Sequence, residues 1–168
     1  AIYPPPPRMS YPFTDNMESG TTNWDWSQPW GLVNVPARSG SGNTTAWTDS
    51  PVGNYANNAN TALEMSINLR DAKMPVLSFW HRYAFEANSD YGYIEVRDGS
   101  TSPWKRLFFV TGTSASWIKS QVDLANYAGR QVDIRFRVMA GAAIQSEGWL
   151  IDDIRIGETE APAIAYPL

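Results

Sequence analysis

Five carboxylates stand in three well-separated blocks: Asp15 with Glu18, Asp49 alone, and the adjacent pair Asp152 and Asp153. Oxygens of this kind are the natural ligands of a hard cation. Calcium takes roughly six to eight of them at about 2.3–2.6 Å, drawn from carboxylates, amides, backbone carbonyls and water. The segment Gly148-Trp149-Leu150-Ile151-Asp152-Asp153-Ile154-Arg155-Ile156 sharpens the point. Strict alternation puts Leu150, Asp152, Ile154 and Ile156 on one face, so the Asp152 carboxylate is expected to point inward with three aliphatic side chains. Such a carboxylate is costly unless a cation or several donors satisfy it.

Catalytic chemistry has little to work with. The one histidine, His81, cannot supply the two of an HExxH zinc site, and there is no Gly-x-Ser-x-Gly elbow. His81 alternates with Leu77, Phe79 and Tyr83 and reads as a packed residue. Glycosidase action needs two facing carboxylates, and nothing singles out such a pair among the 17 acids. The chain is therefore read as no enzyme. Aromatic chemistry is more plentiful, with 8 Trp and 8 Tyr. Trp24 and Trp26 are candidate stacking platforms for a sugar, or else core residues each burying about 150–250 Å². Asp90 and Asp98 read as turn residues, and Asn43-Thr44-Thr45 is a weak glycosylation sequon.

The elements that must position these groups are strands. Val132, Ile134, Phe136 and Val138 alternate with Gln131, Asp133, Arg135 and Arg137, the pattern of a half-buried antiparallel strand. Similar runs are expected near 24–33, 44–48, 62–69, 75–86, 91–98, 104–111, 117–123 and 148–156, parted by turn clusters such as Asp98-Gly99. No window keeps a helical period; residues 123–129 form one turn at most. The expected fold is all-β, a two-sheet antiparallel jelly-roll β-sandwich. The domain spans residues 13–157. It is flanked by a Pro-rich extended segment, 1–12, and an extended tail, 158–168.

Composition narrows the setting. Charged residues are 18% and aromatics 13%, as in extracellular β-sandwiches. A net charge of −4 argues against nucleic acid or an anionic membrane as partner. No apolar run reaches the ~20 residues that would insert in a bilayer. The absence of cysteine excludes disulfides and thiolate zinc sites. A start at Ala1 fits signal-peptide removal or excision from a longer chain, and a secreted or cell-surface location is expected.

Several blocks resemble one family in their order along the chain. They are Phe13 to Gly20, Ala46-Trp47-Thr48-Asp49-Ser50-Pro51, Pro75 to Tyr83, Asp90 to Val96, Asp123 to Gly129, Val132 to Val138, and Gly148 to Ile154. Together they look like MAM-like jelly-roll modules of secreted bacterial proteins, including the accessory domain of immune inhibitor A type metalloproteases. The resemblance implies a structural ion between the N-terminal acidic block and the final strand. In jelly rolls the first and last strands lie near each other. Glu18 and Asp152 are thus the expected principal calcium ligands, with Asp15, Asp49 or Asp153 assisting and Asn57 and Asn58 as lesser candidates. The competing expectation is that Glu18 and Asp49 cap turns while Asp152 accepts hydrogen bonds from backbone, Trp or Tyr donors.

Such modules accompany many activities, so fold does not choose function. The leading expectation is a structural or adhesive subunit that self-associates or docks on another surface protein. Ile2, Tyr3, Met9 and Tyr11 of the N-terminal segment would then add to a neighbour's sheet edge, and a contact that does not close would give a filament. The alternative is a carbohydrate-binding accessory module of a larger secreted hydrolase, with polysaccharide as partner.

Overall fold

The computed structural model describes residues 7–36, 42 and 44–160. In chain order the strands among them are β1 (Arg8–Ser10), β2 (Phe13–Asp15), β3 (Asp25–Trp26), β4 (Gly31–Asn34), β5 (Thr45–Thr48) and β6 (Asn60–Asn68). They continue with β7 (Pro75–Ala84), β8 (Tyr91–Arg97), β9 (Lys105–Val110), β10 (Ile118–Asp123), β11 (Gln131–Met139) and β12 (Gly148–Glu158). A single 3₁₀ turn at Ala125–Tyr127 joins β10 to β11. One sheet is ordered β1-β6-β11-β8-β9 with β3 added on β6. The other is ordered β10-β7-β12-β5-β4 with β2 added on β12. The fold is the expected antiparallel two-sheet jelly roll, with one parallel exception: β1 runs parallel to β6. Among the described residues no helix is long and apolar enough to cross a membrane.

Period-two alternation builds the core from both sheets. Leu63, Met65 and Ile67 of β6, Ile94 and Val96 of β8, and Val132, Ile134, Phe136 and Val138 of β11 are buried. They face Leu77, Phe79 and His81 of β7 and Trp149, Ile151, Ile154 and Ile156 of β12. Phe136 stands edge-on to Trp24, Phe79 and Trp149, with ring centroids 6.2, 5.5 and 5.6 Å away. Gly92 of β8 lies beneath the Trp149 indole. A Cβ there would sit 2.6 Å from Cε3, so the ring fills the space a side chain would occupy.

The expected facing of the last strand is corrected by a bulge. Register against β7 shifts between Asp152, opposite Trp80, and Arg155, opposite Ser78. One extra residue on β12 is absorbed there, at Asp153, whose φ is 49°. Trp149 and Ile151 before the bulge share the core face with Ile154 and Ile156 after it. Leu150 and Asp152 therefore do not share a face with Ile154 and Ile156. One run is also more divided than expected. The segment 24–33 becomes β3 in one sheet and β4 in the other, parted by a turn closed by Trp30 N–H donating to the Ser27 carbonyl at 3.1 Å.

The N-terminal segment also takes part in the domain. Met9 lies on β1 opposite Ile67 of the same chain and packs against the core. The Tyr11 hydroxyl donates to the Glu158 carboxylate, and burial with that carboxylate raises the phenol to about 12. Met9 and Tyr11 thus both make contacts within their own domain. Ile2 and Tyr3 lie outside the described residues.

The close approach at Gly92 gives a direct check. Gly92→Ala should cost about 1–3 kcal/mol through overpacking against the indole, read from urea unfolding. An unchanged midpoint would mean that Trp149 has room to move.

Candidate functional site

The outward face of the β8–β11 sheet carries the densest polar and aromatic chemistry. Side chains of one parity on β8 (Tyr91, Tyr93, Glu95 and Arg97) point away from the core, as do Asp133, Arg135 and Arg137 of β11. Register then lines up one charged row across five strands: Asp25 opposite Glu64, Glu64 opposite Arg135, Arg135 opposite Glu95, and Glu95 opposite Arg106. A neighbouring row holds Arg137, Tyr93 and Phe109.

Glu95 is the hub of this face. Its side chain is only 5% exposed, and its Oε1 accepts from Arg135 Nε at 2.8 Å and from Arg137 Nη1 at 3.4 Å. Arg106 Nε lies 3.6 Å from the other oxygen. Arg97 pairs with Asp133 at 2.9 Å. Burial draws the Arg135 guanidinium below its usual value and pushes Glu64 above the ordinary carboxylate range, with Arg135 and Arg97 opposing the latter shift.

The guanidiniums also organise the rings. Arg97 and Arg135 lie 4.4 and 4.1 Å from the Trp104 centroid, and Arg106 lies 3.5 Å from that of Tyr93. Tyr91 stacks on Tyr93 at 5.4 Å with planes 10° apart, and Phe109, 60% exposed, meets Tyr91 at 6.1 Å. A half-buried aromatic strip thus lies beside a fixed ionic row. Such a surface can stack an apolar ring face and hydrogen-bond its equatorial hydroxyls. The sequence pattern Tyr-x-Tyr-x-Glu-x-Arg over residues 91–97 carried this signal. The pairing that joins it to Arg106, Arg135 and Arg137 did not show.

A second polar group is internal and structural. His81 is buried, and its Nδ1 accepts from the Trp149 indole N–H at 3.0 Å. The indole nitrogen can only donate, so the histidine proton sits on Nε2, 2.8 Å from Ser120 Oγ. Burial lowers this imidazole to about 4. On the other side of Trp149 its backbone N–H donates to Asp49 Oδ1 at 2.7 Å, while the buried Oδ2 has no hydrogen-bond partner. Burial raises Asp49 to about 6. Gly148, with φ 86°, is required beside it because a Cβ would overlap the Asp49 carboxylate.

The expected calcium ligands disperse. Asp15 Oδ1 accepts from Met17 N–H at 2.8 Å; its Oδ2 accepts from Asn23 Nδ2 at 3.1 Å and Trp24 Nε1 at 2.8 Å. Glu18 Oε1 accepts from the amides of Thr44 and Thr45 at 2.9 and 2.8 Å, tying the N-terminal block to the loop before β5. Asp49 is held at Trp149, and Asp152 Oδ1 accepts from Asp153 N–H at 2.8 Å in the bulge. Asp15 and Asp153 do share one depression with Thr14, Asn16, Ser19 and Asn23, but Glu18 and Asp152 do not line it. Among the described residues no three or more of His, Cys, Asp and Glu gather as a metal set. Asn57 and Asn58 lie in the loop before β6, where Asn57 Oδ1 accepts from Gln145 Nε2 at 3.3 Å.

The expected indole platforms are corrected too. Trp24 is 3% exposed, packed between Phe13 and Phe136, with its N–H spent on Asp15. Trp26 leans on Trp47 at 5.3 Å and packs against the core. Asp90, expected as a turn residue, is buried. It accepts from Tyr55 Oη at 2.6 Å and from Gly141 N–H at 2.7 Å, so it ties three loops together.

No family model matches the chain. Over 147 residues, 85% of its length, it is 33% identical to bacillopeptidase F of Bacillus subtilis (strain 168). The match covers 10% of that protein, so the chain spans about a tenth of the length of the curated relative. Its backbone is similar to the CBM27-1 module of Caldicellulosiruptor saccharolyticus solved with mannohexaose, at a TM-score of 0.62 and 13% identity, covering 89% of this chain and 98% of that one. It is also similar to the CBM22-1 xylan-binding domain of Paenibacillus barcinonensis Xyn10C, at a TM-score of 0.55 and 17% identity, covering 89% and 95%. At these identities the likeness is one of fold.

The two groups around Trp149 titrate with opposite signs. Asp49, raised to about 6, contributes stability that is full below the ordinary carboxylate value and lost as pH rises through 6. His81, lowered to about 4, contributes stability that is full above its ordinary value near 6.5 and lost as pH falls through 4. Between pH 4 and 6 the two oppose each other. Asp49→Asn should therefore leave a melting temperature that climbs with pH more steeply than the parent's. Parallel curves for the two proteins would refute the buried-acid assignment.

Proposed function

We propose that this chain is a non-catalytic carbohydrate-binding accessory module of a larger secreted hydrolase. In this reading it grips polysaccharide on the outer face of the β8–β11 sheet. One observation carries the reading: Tyr91, Tyr93, Phe109 and Trp104 stand on one open face, with rings fixed by an ordered set of guanidiniums and a hub carboxylate. Rings held in place lose little entropy on binding, so a stacked sugar keeps more of its contact energy. The mannohexaose-bound and xylan-binding modules of similar fold support this reading, as does a relative whose name is that of a peptidase and whose length is about ten times the matched portion. They support it better than the adhesive, self-assembling subunit, since Met9 and Tyr11 are occupied within the domain. MAM-like membership and an extracellular location belong to the same proposal.

Phe109→Ala, at the most exposed ring of the strip, should weaken retention about tenfold, near 1.4 kcal/mol, in affinity electrophoresis through a panel of gels carrying neutral and acidic polysaccharides, read on the gel that retards the parent. The melting temperature should change little. Parent protein that migrates freely through every gel of such a panel would defeat the reading.

A structural calcium ion is the second part of the proposal. The depression shared by Asp15, Asp153, Thr14, Asn16, Ser19 and Asn23 offers the oxygen donors a hard cation takes. Asp15 and Asp153 would supply the charge, and the ion would fix the bulge of β12 against the N-terminal block. Arg155 lines the same depression and competes for those carboxylates. Binding at a hundredfold excess over Kd stabilises the folded state by about 2.7 kcal/mol. Chelator should lower the melting temperature, and Asp153→Asn should blunt that response; superimposable melts with and without chelator would remove the ion from the account.

A further inference from the structure

Charge on the proposed binding face is spread unevenly. The chain as a whole carries a net charge of −4, yet four of its 13 basic residues (Arg97, Arg106, Arg135 and Arg137) converge on this one patch. Asp133 takes Arg97, Glu64 stands opposite Arg135, and Glu95 lies against Arg135, Arg137 and Arg106. Glu64 and Asp25 both lie toward β6 and β3, so the acids gather at that end and the β9 end, where Arg106 stands, is the cationic one.

Arg106 is the member with capacity left over. Its approach to Glu95, 3.6 Å, is too long for a hydrogen bond, and its side chain is 47% exposed. The guanidinium is nevertheless held in place, 3.5 Å from the Tyr93 centroid. A planar fork with N–H donors to spare, held over the Tyr93 ring beside the stacked Tyr91, is shaped for a planar oxyanion. The carboxylate of a uronic acid meets that geometry, because it sits on the sugar whose ring would stack on the neighbouring aromatics. A sulfate is tetrahedral and would use the charge without the plane.

We propose that the polysaccharide recognised here is a polyuronate, its carboxylates received by Arg106 while its rings lie along Tyr91 and Phe109. This rests on the carbohydrate-binding reading and adds the substrate class to it. The cationic β9 end of the row gives specificity, while the acidic remainder of the molecule holds off polyanions that do not fit the patch.

Isothermal titration of the full chain tests it with four probes of equal length: an oligogalacturonate, its methyl ester, a sulfated oligosaccharide, and a neutral oligosaccharide such as mannohexaose. The expected result is at least tenfold tighter binding of the oligogalacturonate than of its methyl ester or the sulfated probe, weakening as salt is added. Arg106→Gln should abolish that margin, whereas Lys119→Gln, on the other sheet, should keep it. Equal affinity for the acid and its ester overturns the polyuronate assignment and leaves carbohydrate binding standing, as does binding of the neutral probe alone. Equal affinity for sulfated and carboxylated probes also overturns it, since the patch is then a plain anion exchanger. Heat from none of the four removes the carbohydrate reading itself. A margin that survives Arg106→Gln with an unchanged melting temperature would place the anion elsewhere and overturn the proposal.

Discussion

Burying a tryptophan between two sheets sets terms that much of this domain obeys. The Trp149 indole fills the gap between β12 and β8, and its N–H must find an acceptor in a place water does not reach. His81 on the adjacent strand supplies it and is thereby locked as the neutral tautomer, with its remaining proton toward Ser120 on β10. Asp49 meets the backbone N–H of the same residue and joins the end of β5 to the start of β12. Gly92 gives up its side chain so that the ring can lie flat on the opposite sheet. One residue therefore couples four strands of one sheet and one of the other, and it explains why the only histidine is structural.

With the interior fixed in this way, the outer face of the other sheet is free to carry function. Its ionic row is organised by antiparallel register rather than by sequence neighbours. Arg135 stands between Glu64 and Glu95, and Glu95 stands between Arg135 and Arg106. A carboxylate this enclosed holds its place only because several guanidiniums surround it, and those guanidiniums in turn lie over the Trp104 and Tyr93 rings. The rings are positioned before any ligand arrives. That separates this face from the indoles of the first thirty residues, which the core consumes.

The N-terminal acids illustrate how hydrogen bonding competes with metal binding for the same oxygens. Asp15 and Glu18 each satisfy several N–H donors, and in doing so they fasten the first block to the loop before β5 and to Trp24. The bulge at Asp153 then turns the last strand so that Asp152 departs from the aliphatic face. Calcium and donor satisfaction were both readable as outcomes, and the carboxylates accommodate the donors first.

The sequence by itself determined the all-β class, the position of most long strands, and the inward residues of β11, because period-two alternation of Val132 to Val138 is a local property that every sandwich must honour. It also determined that His81 is packed, since the residue sits in phase with Leu77 and Phe79. Three things were decided only by tertiary structure. The single extra residue in β12 reverses the facing of Asp152, and a bulge depends on what the partner strand demands. Trp24 became core because Asp15, nine residues earlier, lay within reach of its N–H. The candidate binding face exists only after β8, β9 and β11 pair, because Glu95, Arg106 and Arg135 are distant in the chain and register alone brings their charges together.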